Sequence, residues 1–350
     1  MPDTDSREPH AMPGEIRSTR DKAAAALTTR TQGLQVDFDE ITGGPKHIMA
    51  TGRFLTEAAG PLDESTGLDR LKHIVSSYVD ANRDLFGHDS SAIRDDRSRI
   101  SRNDVSAHNG LHTVVWQQEL DGIPFFQVLL RASVTRNGEV VTMGGNFLGD
   151  PEGATGLTPS ERSELIAHPP LPAERAIALA AADIDTEVEE QMVKAAGAAS
   201  GAEQRRDYQA PGLSDTRAGL SWVATGHASA SLAWDVTLMG TEIGEMYRVL
   251  VDARTGDVLV RHGLTNYISN ATYRVYAKNS NLQPHDSPTP MSPGHATPLT
   301  TQPPEVAREL ITLPALNTTA SPDGWISDGG TQTLGNNVDA HTDTDANNSP

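Results

Sequence analysis

The sequence predicts an α+β protein: two small units, each a helix packed on an antiparallel sheet, followed by a mostly irregular or β segment. Three observations carry this. Apolar residues recur at helical spacing once early and once mid-chain; each helical block is followed by strands whose residues alternate; and past residue 265 prolines crowd out regular structure.

In the first unit, Leu68, Leu71, Val75, Tyr78 and Leu85 repeat at helical spacing and Gly87 supplies a stop, so Leu68 to Phe86 is predicted as one helix. His112 to Leu120 then sets Val114, Trp116 and Leu120 on one side of a strand and Thr113, Gln117 and Glu119 on the other. Asp121-Gly122 is a turn pair. The next strand, Phe126 to Val134, turns Phe126, Val128, Leu130, Ala132 and Val134 inward. Arg136-Asn137-Gly138 turns again into Glu139 to Met143, which stops at Gly144-Gly145. A helix over one face of such a meander makes an α+β layer.

In the second unit, Leu171 to Ile184 (LPAERAIALAAADI) is a helix with Pro172 in its first turn. Strands follow at Leu220 to Ala224 and Leu232 to Leu238, then a hairpin, Tyr247 to Ala253 and Val258 to Arg261, closed by Arg254-Thr255-Gly256-Asp257. The Ala/Gly/Glu-rich stretch 187–214 is expected to be a mobile insertion, and residues 1–35 a disordered tail. Eight prolines between Asn279 and Pro314 predict extended coil.

Composition narrows the function. The net charge of −19, from 28 basic and 47 acidic residues, argues against nucleic acid or an anionic membrane as partner. Absence of cysteine removes disulfides, thiolate nucleophiles and Cys-based zinc sites. No window approaches the roughly 20 apolar residues that span a bilayer, and the first residues lack the apolar run of a secretory signal.

Catalytic motifs are missing too. None of the 12 histidines is followed by glutamate, so there is no HExxH helix, and no serine elbow or phosphate loop occurs. His108 and His112 are expected on the surface, because Gly110 between them breaks any shared helical face. Asp343, Asp345 and Asn347 match the opening of a calcium loop, but Asn348 stands where glycine belongs, which favours a solvated acidic loop. Trp116 and Trp234 fall on apolar strand faces and are expected in the core; Trp222 is ambiguous and Trp325 sits in a loop.

Val115 to Asn146 (VWQQELDGIPFFQVLLRASVTRNGEVVTMGGN) holds an aromatic-x-Gln strand, a G-I-P turn and a G-x-V return strand, carried by Trp116, Gln118, Gly122, Ile123, Pro124, Gly138, Val140, Gly145 and Asn146. With Phe125 in place of a small aliphatic, it resembles the propeptide module shared by fungalysin-type and thermolysin-type metalloproteases. Ala173 to Ile184 with YRVLVDARTGDVLVR at 247–261 resembles a PepSY-like pro-region unit. Further on, ATYRVY at 271–276, Ser321, Pro322, Gly324 and Trp325 in ASPDGW, and Gly335, Asn336 and Asn337 in LGNNVDAHTDTDA are similar to the opening of the fungalysin peptidase, family M36.

The resemblance implies a precursor with two cystatin-like units, a propeptide domain at 36–165 and a PepSY-like unit at 166–265. A Pro-rich connector and the start of a peptidase would follow at 266–350, with the cleavage boundary between His262 and Ala271. It implies a secreted zinc metalloendopeptidase acting on peptide substrates, whose pro-region is chaperone and inhibitor of its own peptidase domain, with calcium as a further candidate cofactor. No zinc ligand or catalytic residue of the family can be placed on this chain, so the chain is expected not to hydrolyse peptides by itself. The alternatives are a stand-alone peptidase inhibitor or chaperone, and a surface-binding protein using Trp325.

Overall fold

A computed structural model describes residues 2–7, 12–62, 67–241 and 244–265, together with the strand backbones 271–275, 277–278, 283–284, 309–313, 333–334 and 339–340. The chain divides into two compact units, Met1–Leu264 and Thr265–Pro350. Ser321, Pro322, Gly324, Trp325, Gly335, Asn336, Asn337, Asp343, Asp345 and Asn347 lie outside the described residues.

Chain order in the first unit is β1 (Thr4–Asp5), α1 (Gly14–Arg30), β2 (Leu34–Asp37), β3 (His47–Ala50), α2 (Gly67–Ala81), α3 (Arg83–Phe86), β4 (Ser98–Val105), β5 (His112–Leu120), β6 (Ile123–Val134) and β7 (Val140–Gly145). There follow α4 (Pro151–Ala154), α5 (Pro159–Ala167), α6 (Ala173–Ala182), β8 (Lys194–Ser200), β9 (Arg205–Gln209), β10 (Leu213–Gly226), β11 (Ser229–Gly240), β12 (Glu245–Asp252) and β13 (Val258–Gly263). The described residues of the second unit form three short antiparallel pairs: β14 (Ala271–Val275) with β17 (Glu309–Leu313), β15 (Ala277–Lys278) with β16 (Gln283–Pro284), and β18 (Thr333–Leu334) with β19 (Asp339–Ala340).

The fold of the first unit is α+β, built on one sheet ordered β1-β13-β12-β11-β10-β6-β7-β3-β2, with β5 and β4 on the other edge of β6 and the β8–β9 hairpin on β10. The strand β6 divides one edge between two partners: Leu130 to Val134 pair with β7, while Phe125 pairs with Trp222 of β10 in the sheet's one parallel contact among the described residues. Everything else in the sheet is antiparallel.

Helix α2 lays Leu71, Ile74, Val75, Tyr78 and Val79 on the sheet, the three-and-four spacing that gives a helix one buried stripe. The predicted single helix breaks at Asn82 (φ −126°, ψ 27°) and resumes as α3, which ends where Gly87 turns left-handed at φ 78°. Helix α6 buries Ala173, Ala176, Ile177, Ala180 and Ala181, small side chains that let it lie close on β10, β11 and β12. Both helices share one continuous core.

The tail and the insertion are overturned. Residues 1–35 contain β1, α1 and the start of β2, and α1 packs Ala23, Ala24 and the buried Leu27 into the core. The run Ala23 to Ala26 gives helix propensity without an amphipathic stripe, so periodicity is silent there. Within 187–214, β8 and β9 form an ordered hairpin joined to β10 through Thr216, Arg217 and Ala218.

A third correction concerns Phe126. Gln127 has φ 55°, and the register with β5 slips between Gln117 and Glu119, the mark of a β-bulge. Across the slip β6 advances five positions (Leu129 to Pro124) while β5 advances two, and this odd surplus reverses side-chain parity, so Phe125 joins Val128 and Leu130 in the main core while Phe126 points the other way.

Candidate functional site

The side of the first half-sheet turned away from α2 is open. A groove of about 690 Å3 runs across it, lined by Arg102 and Asp104 of β4, Thr113 of β5, Gln127, Leu129 and Arg131 of β6, Thr142 of β7, and Asp39, Lys46 and Asn146 from the connecting segments. Among the described residues no helix covers it. Lys46, Arg102 and Arg131 line it with Asp39 and Asp104, three cations to two acids, so the groove is locally cationic on a chain of net charge −19. Arg102 pairs with Asp104, whereas Lys46 and Arg131 hold no ion pair among the described residues.

Local geometry aims these groups. A side chain at Gly144 would collide with the Lys46 carbonyl, so glycine there lets β3 lie against β7 and brings Lys46 to the rim. The bulge at Gln127 leaves ladder groups without strand partners, and Asn146 supplies them: its Oδ1 accepts from the Leu129 N–H at 2.8 Å and its Nδ2 donates to the Gln127 carbonyl at 3.1 Å. The same amide nitrogen reaches Asp39 Oδ2 at 3.4 Å, tying the loop after β2 to the groove floor.

The other motif residues hold the scaffold. Gln118 is buried and bonds both ways to one residue, donating to the Leu148 carbonyl and accepting from its N–H, each at 2.9 Å. Trp116 is buried in the main core, and its indole Nε1–H has no partner among the described residues. Gly122 follows Asp121 in a left-handed turn (φ 76° and 54°), and Arg162 of α5 grips that turn with an Asp121 ion pair at 2.8 Å. That pairing raises the Arg162 pKa, its hydrogen bond to Asp121 being the main cause. The Pro124 carbonyl accepts from Ser221 Oγ at 3.0 Å. At Gly138 (φ 86°) and Gly145 a Cβ would crowd the Gly60 and Leu129 carbonyls, at 2.8 and 2.9 Å.

Two aromatic and histidine positions resolve in the same way. Trp222 is buried, stacks on Phe125 at 6.3 Å and donates to the Leu120 carbonyl, and Trp234 donates to the Leu171 carbonyl at 2.8 Å, so neither is free for a ligand. His112, expected on the surface, is buried with Nε2 at 2.6 Å from Asn103 Oδ1, and desolvation lowers its pKa. It faces inward because strand alternation, not the spacing to His108, sets its side. Among the described residues no three His, Asp or Glu side chains are grouped to hold a metal ion, so these residues offer zinc no ligand set.

No family model matches the chain. In sequence it is similar to "Extracellular metalloproteinase mep" of Aspergillus niger, 27% identical over 308 residues, covering 82% of this chain and 42% of that protein. It is also similar to "Extracellular metalloproteinase 9" of Coccidioides posadasii (26% over 273 residues; 75% and 36% covered) and, over a shorter span, to "Extracellular metalloproteinase 5" of Arthroderma otae (34% over 140 residues; 39% and 18%). The chain is thus related to extracellular metalloproteinases, and it spans less than half the length of these relatives. A solved Bacillus megaterium YpeB C-terminal domain aligns over 71% of this chain and 97% of its own at 11% identity and a TM-score of 0.27, too slight a likeness for inference.

Proposed function

We propose that residues 36–265 are the pro-region of a secreted zinc metalloendopeptidase of fungalysin type, and that the open groove docks on the catalytic unit, covering its cleft and assisting its folding. The observation that carries this is the groove: a sheet face left bare beside a fully covered one, and cationic on an anionic chain. A solvated face of that kind gains most from a partner whose surface or bound segment is acidic and extended, for which Arg131 and Lys46 supply charge and Thr113, Gln127 and Thr142 supply hydrogen bonds.

Binding only the native form of the catalytic unit stabilises it by mass action, and the same contact excludes substrate. In this reading zinc chemistry belongs to the catalytic unit, and secretion follows the naming of the relatives as extracellular. The test is to mix the full chain with a mature extracellular metalloproteinase and follow peptide hydrolysis and refolding yield. Saturable inhibition and a higher yield are expected; neither effect at micromolar chain would refute the proposal.

A further inference from the structure

Arg20 of α1 is 7% exposed, yet it forms no ion pair among the described residues. Its Nη1 makes one long bond to the Thr42 carbonyl at 3.3 Å, and its Nε is buried without a partner among the described residues. Burial pulls its pKa below the usual guanidinium value. A buried charge left this way has lost its water without gaining a counter-ion, so something should complete it. The guanidinium threads between two glycine turns, where a Cβ at Gly43 or Gly87 would stand 2.6 Å from its terminal nitrogens.

Arg20 also lines a cavity of about 400 Å3 between α1 and the turn after β2. Phe38 and Ile41 give that cavity an apolar wall, and Asp21 and Glu40 line it without reaching the guanidinium. The carboxylate of Asp39, also there, is committed to the turn, accepting from Ile41 N, Thr42 N and Thr42 Oγ1. Arg17 lines the cavity as well, so two guanidinium groups stand with two uncommitted acids; a lone anion would meet those acids, whereas a zwitterion satisfies both signs.

We infer that this cavity is a binding site for a free apolar α-amino acid, with its carboxylate on Arg20, its ammonium toward Asp21 and Glu40, and its side chain against Phe38 and Ile41. The competing account makes Arg20 a structural cation at the C-terminal end of α3, where Gly87 packs on it.

The test uses the full chain and L-leucine as probe, with L-leucinamide and acetate as controls, followed by calorimetry and thermal unfolding. Leucine is expected to bind saturably and raise the unfolding midpoint, and leucinamide, lacking the carboxylate, to bind at least about tenfold more weakly. Arg20→Met should abolish the leucine effect while leaving the ligand-free midpoint unchanged or higher, since an unpaired buried charge is removed. A fall in that midpoint, or failure of the variant to fold, would favour the structural role and overturn the inference. So would equal responses to leucine and leucinamide in the unaltered chain, a comparison that needs no variant.

Discussion

The two halves of the large sheet are built alike on one side and differently on the other. Each carries a helix on its inner face, α2 on the first half and α6 on the second, above one shared core. Turned away from those helices, the first half shows the polar groove, while the second buries Phe126, Val223, Ala233, Leu250 and Val260. There the N-terminal arm pairs with β13, and Arg7 and Arg248 lie over the Phe126 ring at 5.7 and 4.7 Å. Arg248 is held in turn by Asp235 through bonds of 2.8 and 2.5 Å. The same layer is thus closed in one half and open in the other, according to which side chains the outer positions carry.

The largest expected effect comes from the closed half. Phe126→Ala should cost about 3 to 5 kcal/mol in urea unfolding, because it empties a fully buried aromatic site and strips the ring from two guanidinium groups. A cost near zero would mean that the second outer face is not packed as described.

Next is Gln118→Leu, which leaves both backbone groups of Leu148 buried and unpaired; about 2 to 3 kcal/mol is expected by the same measurement. Asn146→Ala should cost about 1 to 2 kcal/mol, and its amide-exchange signature should be faster exchange at Leu129, whose N–H it accepts.

Acid should act on the first half before the second. His88, set between Phe86 and Phe147, has its pKa lowered chiefly by desolvation, against opposing contributions from Asp89, and His112 is lowered by desolvation too. Both titrate below the ordinary 6.5, so the unfolded chain takes protons first as pH falls through that value. Their stability contribution is therefore complete above about pH 6.5 and drains away below it, and His88→Phe should flatten the slope of midpoint against pH between about 6.5 and 5. An unchanged slope would show that His88 stays solvated.

The smallest effect on stability marks the open half. Lys46→Glu with Arg131→Glu should stay within about 0.5 kcal/mol of the parent, both side chains being exposed, while inhibition of a metalloproteinase should weaken by roughly tenfold or more. Loss of stability without loss of inhibition would reverse the roles assigned to the two halves.

Much of this is legible in the residues. Helical spacing marks α2 and α6, strand alternation marks β5, and Asp121-Gly122 marks a left-handed turn, because each depends on near neighbours alone. Gln127, Arg131 and Ser133 stand at positions the alternation turns away from the core, which is the signal that could have found the groove. Lys46 and Asp39 give no such sign, since they reach it from loops brought near through β3 and β7.

The sequence by itself determined the types of the periodic elements, α2, α6 and the strands β5, β6 and β10 to β13 among them, the inner faces of the two helices and the sign of the chain's charge, all of which follow from local periodicity and composition. Only the tertiary structure decided that Phe126 leaves the main core, that residues 12–35 and 187–214 are ordered, and that Arg20 is buried without a carboxylate among the described residues. Each of those depends on contacts with distant chain: a bulge closed by Asn146, a hairpin paired to β10, and a helix laid against turns more than 20 residues away in sequence. Burial is a property of what packs on a residue, and no local pattern contains it.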